Sequence, residues 1–165
     1  MGSAKLSAAM CVLFCLSGAS MATPVGSGGS TSTLVVNFSD GERYVFEVSY
    51  SPTKNGMDLF DVIEGETTLT TVRIFGGAFI DGISYAGHDD SGYGGGDDWW
   101  HYWIREGDAE PWTAAGFGPV DRTVADGTWD GWVYGNGNPP LVPEPAALLT
   151  MAAGAAALLG RRRRR

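Results

Sequence analysis

Apolar positions are distributed in three different ways along the chain. Residues 6–16 form an uncharged, mostly apolar run, and so do residues 146–160, which lead directly into Arg161, Arg162, Arg163, Arg164 and Arg165. Between these runs, apolar residues alternate or recur at helical spacing, as they do in a folded body with one face buried. Residues 34–38 and 43–50 read as two strands joined by Ser39-Asp40-Gly41-Glu42, the second alternating Tyr44, Phe46, Val48 and Tyr50 with polar neighbours. A short helix follows. Asn55 caps it, with Asp58 three residues on; Leu59, Phe60 and Ile63 share a face, and Gly65 supplies the stop. Residues 68–75 and 78–85 resume strand character around Gly76-Gly77.

Strand, strand, helix, strand, strand predicts an α+β domain, a β-grasp-like mixed sheet wrapping one short helix. A β-sandwich with an incidental helical turn is the alternative. In residues 98–105 alternation sends Trp100, Tyr102 and Ile104 one way and Trp99, His101 and Trp103 the other. Asp126-Gly127 and Asp130-Gly131 read as turns on either side of Trp129. Residues 23–32 (Gly-, Ser- and Thr-rich) and 135–141 (beginning Gly-Asn-Gly-Asn-Pro-Pro) read as linkers, which leaves residues 33–134 as one aromatic-rich domain.

The N-terminal run fits a secretory signal peptide over residues 1–22. Lys5 is the positive start, residues 6–16 the apolar stretch, and Ser20-Met21-Ala22 a small-x-small site with cleavage between Ala22 and Thr23. Phe14 before Cys15 argues against a lipoprotein anchor. Both cysteines, Cys11 and Cys15, lie in the segment removed, so the mature domain has neither disulfides nor thiolate metal ligands to stabilise it.

Charge sharpens this picture. Between Thr23 and Pro140 lie eighteen of the nineteen acidic residues but only Arg43, Lys54, Arg73, Arg105 and Arg122 as bases, a net of −13. Such a body repels nucleic acid. The arginine tail follows an apolar run and acts as a membrane stop, because guanidinium is costly to carry through hydrocarbon. As a helix, residues 146–160 reach about 22 Å, short of the roughly 30 Å hydrocarbon core. That suits a transient transmembrane anchor.

Val142-Pro143-Glu144-Pro145, the apolar helix 146–160 and the arginine cluster 161–165 together resemble the PEP-CTERM sorting signal, here residues 142–165. The resemblance implies recognition and processing near Pro-Glu-Pro by exosortase, a membrane-embedded cysteine transpeptidase, with this chain as substrate. It implies export through the secretion machinery, a membrane-anchored intermediate, and delivery to the cell surface or extracellular matrix. Leu34-Val35-Val36-Asn37-Phe38, the helix near Leu59, residues 99–103, and Val124-Ala125-Asp126-Gly127 ahead of Trp132-Val133-Tyr134 resemble the transcobalamin C-terminal-like β-grasp family. Where that family has a turn bearing Asn-Gly, this chain has Arg105-Glu106-Gly107-Asp108. Cobalamin binding is what the transcobalamin relatives imply.

Candidate chemistry is sparse. Trp99, His101 and Trp103 either enlarge a thin core or form a stacking face for a sugar ring or corrinoid. The loop 87–98 carries four aspartates among glycines and could wrap Ca²⁺, but its spacing matches neither an EF-hand nor the nonapeptide repeat, and a solvated loop is the plainer reading. His88 and His101 belong to no metal-ligand pair, so no metal or other cofactor is expected. Absence of a mature cysteine nucleophile, G-x-S-x-G elbow, P-loop or G-x-G-x-x-G leaves no catalytic residue to name, and the expectation is a non-enzyme. The leading reading is an exported adhesion or assembly protein. A corrinoid- or glycan-binding module comes second, and a hydrolase of surface polysaccharide third.

Overall fold

The computed structural model describes residues 22–142. Residues 1–21 of the expected signal peptide 1–22 and the tail from Pro143 onward, with its expected membrane helix, lie outside the described residues. Among the described residues, no helix is long and apolar enough to cross a membrane.

Among the described residues, nine strands and one α-helix give the mixed α+β, mostly sheet architecture that the patterning predicts. The main sheet holds β1 (Thr23–Gly26), β2 (Ser30–Asn37), β3 (Arg43–Tyr50), β7 (Trp100–Arg105), β8 (Thr113–Ala114) and β9 (Trp129–Tyr134), in the order β1-β3-β2-β9-β7-β8. A second sheet has the order β4 (Thr70–Ile74), β5 (Phe79–Tyr85), β6 (His88–Ser91). β2 and β3 form the expected antiparallel hairpin, with Leu34 opposite Phe46 and Val36 opposite Tyr44. β9 lies parallel to β2 and antiparallel to β7.

Helix α1 (Gly56–Glu66) starts as its sequence dictates. Asn55 Oδ1 accepts from the N–H groups of Met57 and Asp58, and Asp58 Oδ2 accepts from the N–H of Asn55, a reciprocal capping box. Leu59, Phe60 and Ile63 are fully buried against Leu34, Val36, Phe46, Trp100 and Trp132 on the sheet's inner face. Gly65 lies inside the helix. The end is set by Thr67, whose N–H and Oγ1–H both donate to the Ile63 carbonyl.

Several expectations are corrected. The two strands after the helix do not complete the main sheet; β4 and β5 pair with each other and with β6, and β9 and β7 take the places beside β2. A β-bulge at Val72/Arg73 and the tight turn Phe75–Gly77 make β4 and β5 a local hairpin, which the alternation of either strand alone cannot reveal. Residues 23–32 are not a linker, because β1 pairs in parallel with β3 and buries Val25. Asp130-Gly131 is not a turn but the middle of β9, whereas Asp126-Gly127 does turn, with Gly127 at φ 76°. Within loop 87–98, His88–Ser91 is strand β6. Segment 135–141 has no regular structure, yet Pro140 is buried.

The second sheet shares the one core through Ile80 and Ile83. Its outer strand clasps the β2–β3 turn: Asp90 accepts from Ser39 N–H and Oγ–H at 2.7 Å each, and His88 Nδ1 meets Asp40 at 2.5 Å. Trp100 Nε1 donates to the Asp90 carbonyl at 3.0 Å.

Candidate functional site

The aromatic strand β7 and its neighbour β9 present two faces with different chemistry. On the inner face Tyr102 stacks on Trp132 with ring centroids 4.7 Å apart, and Trp132 meets Phe60 of α1 edge-on. The Tyr102 hydroxyl donates to Asp130 Oδ1. Asp130 is 0% exposed, and its nearest base is Arg122, Nε to Oδ1 at 3.9 Å. The Arg122 guanidinium is itself gripped by both carboxylate oxygens of Glu106, at 2.6 and 3.1 Å.

Burial pushes the Asp130 carboxyl up to about 6, against the opposing pull of the Tyr102 hydrogen bond and of Arg122. Burial likewise raises Tyr102, reinforced by the neighbouring Asp130 charge. For Arg122 burial acts against the charge, but Glu106 and Asp130 outweigh it and its pKa is raised. Gly56 makes the arrangement sterically feasible. A Cβ there would fall 2.7 Å from the Tyr102 hydroxyl and 3.3 Å from Asp130 Oδ1, so only glycine lets the first turn of α1 rest on this pair. Asp130 is sealed from solvent, and its bond from Tyr102 ties β9 to β7 beneath the first turn of α1.

On the outer face the side chains are half-buried. Trp99, His101 and Trp103 line a cleft of 620 Å³, together with Phe79 and the loop 114–119, and Trp100, Tyr102 and Trp132 from the other face also reach it. That volume suits a small ligand. The Trp99 and His101 rings lie 4.0 Å apart at 41°, and His101 Nε2 is 3.1 Å from the Asp97 carbonyl. Phe117, 44% exposed, stands at the rim. The three residues singled out by alternation are thus brought to one cleft, and Asn136 and Gly137 form part of its wall.

Further along the same face Arg105 lies between Trp129 and Trp112, its guanidinium carbon 3.8 and 5.0 Å from the ring centroids. Burial lowers its pKa. Trp129 Nε1 donates to Asp108 Oδ1 at 2.7 Å. Opposite Trp103 in the ladder sits Gly131, and over it lie the Trp112 ring and Pro140.

The aspartates of the loop 87–98 do not converge. Asp89 accepts from Ser84 Oγ, and Asp90 from Ser39. Among the described residues, no group of three or more His, Cys, Asp or Glu is placed to hold a metal ion. Of the sorting residues only Val142 is described; Pro143, Glu144, Pro145 and Arg161 to Arg165 lie outside. Ala22 and Thr23, the expected cleavage pair, stand at the entry to β1.

Asp130, Tyr102 and Arg122 escaped sequence reasoning, because Asp130-Gly131 mimics a turn. The signal that could have found Asp130 is its place in the alternation Asp130, Trp132, Tyr134. Nothing local marks Trp112 or Pro140.

Residues 141–165 match the PEP-CTERM protein-sorting motif. The motif implies recognition by exosortase, export, and membrane-anchored processing before release. No curated protein and no solved structure matches the chain, so the likeness of its central domain to the transcobalamin C-terminal-like family is unsupported.

Proposed function

We propose that this is an exported surface or matrix protein, sorted by exosortase through its C-terminal tail, with a non-catalytic body that mediates adhesion or assembly. The match of residues 141–165 to the sorting motif carries this reading. The buried polar pair supports a scaffold role, since Asp130 and Arg122 are both withheld from solvent inside the packed domain. The sheet order supports a β-grasp variant for the body: the first hairpin strand runs parallel to the last strand, and α1 covers one face. Mass spectrometry of the product from cells with and without exosortase tests the sorting reading. The expected product with the enzyme lacks Arg161 to Arg165 and is found outside the cell. A full-length product in both hosts overturns it.

A second reading is a ligand-binding module for a glycan or corrinoid. The half-buried cleft at Trp99, His101 and Trp103 favours it, because a purely structural cluster would be closed over. Tryptophan fluorescence titrated with neutral oligosaccharides and with cobinamide is the test, and a flat response to both removes this reading.

A further inference from the structure

The segment that leads into the sorting motif is held against the folded domain. Gly135 N–H donates to the Trp99 carbonyl at 3.1 Å, where β9 ends. Gly137 packs on the His101 ring: a Cβ there would sit 3.3 Å from the imidazole. Asn138 N–H turns back onto Asn136 Oδ1 at 3.0 Å. Pro140 then settles into the furrow left by Gly131, where a Cβ would come within 2.3 Å of Pro140 Cγ and 3.0 Å of the Trp112 ring. Residues 135–140 thus form a strap that doubles back over the outer face of β7 and β9. Beyond it, Leu141 is 57% exposed.

Attachment at Pro140 limits the reach of the motif. Pro143 is three steps along the chain from Pro140, a span of about 10 Å even when fully extended. Only Leu141 and Val142 then lie between the folded surface and Pro143-Glu144-Pro145, whereas a peptidase takes its substrate as an extended segment with residues on both sides of the bond it cuts. Lifting the strap frees six further residues, about 20 Å of chain. The strap is also the kind of element that lifts. It makes no ladder with the sheet, its two prolines have no N–H to contribute, and its hold is one backbone hydrogen bond, one glycine on one ring, and one proline in one furrow.

We infer that the strap is a releasable spacer: docked on Gly131 and Trp112 it withholds the sorting motif from exosortase, and lifted it presents the motif. This rests on the sorting reading above. Pulse-chase of the full chain in cells that contain exosortase gives the test. Pro140→Gly is expected to be processed several-fold faster than wild type, with an unchanged melting temperature for the purified domain. Six Gly/Ser residues inserted between Pro140 and Leu141 are expected to give the same gain, and combining the two changes to give no more. Hydrogen exchange of the wild-type domain is expected to show Gly135 protected at least ~10-fold more than in Pro140→Gly. A wild-type chain that is never cut overturns the sorting reading, and this inference with it. A wild-type chain that is cut, with Pro140→Gly and the insertion cut at the same rate, overturns the spacer alone. Free exchange at Gly135 in wild type overturns the docking itself.

Discussion

The inner and outer faces of the β7–β9 pair use the same residue types for opposite ends. Inside, Trp132, Trp100 and Tyr102 are packed under α1; Tyr102 hydrogen-bonds Asp130 and Arg122 hydrogen-bonds Glu106, while Asp130 Oδ2 and Arg122 Nε are buried without a hydrogen-bond partner. Outside, Trp99, His101 and Trp103 are left half-open around a cleft, and the strap rests beside them. Aromatic content therefore says little about role. What separates the faces is whether a helix covers them, and the helix goes where its own apolar stripe and Gly56 allow.

If the inner face is the core, truncating Trp132 is the most damaging single change. Trp132 is 1% exposed and in contact with Phe60 and Tyr102, so Trp132→Ala is expected to cost about 3–5 kcal/mol in urea unfolding. Arg122→Met comes next. It leaves the Asp130 carboxylate buried without its cation, and the expected loss is about 3 kcal/mol at pH 7. A loss below about 1 kcal/mol would mean that Glu106 and Asp130 adjust freely.

The pH dependence follows from the same group. Asp130 has a folded pKa near 6, above the ordinary 3.8, so its protonated form binds the folded state better. The stability it contributes is therefore fully present below about pH 4 and is lost as pH rises through about 6. Between those limits the wild type is expected to lose on the order of 2 kcal/mol more than Asp130→Asn, whose amide does not titrate. Urea midpoints of both proteins from pH 4 to 7 provide the measurement. Parallel curves would show that Asp130 is not held in a low-dielectric site.

How much of this the sequence reveals depends on how local the cause is. The β2–β3 hairpin and the Asn55–Asp58 capping box are settled by residues within a few positions of each other, and both were legible. So was the alternation that puts Trp99, His101 and Trp103 on one side. Partner choice among strands was not. The segment Thr23–Gly26 looks like a linker until β3 offers its edge, and β4 and β5 alternate equally well in either sheet. Asp130 reads as a turn residue because the groups that make its burial tolerable, Tyr102 and Arg122, lie elsewhere in the chain. For the same reason the cleft was half legible. Its aromatic strand was evident, but its walls at Phe79, Phe117 and Gly137 come from three separate segments.

The smallest effect is the one that tests the comparison from the outer side. Trp99 contacts His101 at 4.0 Å but lies half-open at the cleft, so Trp99→Ala forfeits one aromatic pair and part of the burial of one indole. An aromatic pair is worth about 0.5–1.5 kcal/mol. The expected loss is about 1 kcal/mol, a third or less of that for Trp132→Ala, measured by the same urea titration. If the two tryptophans cost the same, the outer face is a second core, and a ligand at Trp99, His101 and Trp103 would have to compete with packing that the domain needs to stay folded. If Trp99→Ala is nearly silent, the indole is held in place at little benefit to the fold, as a side chain reserved for a ligand would be.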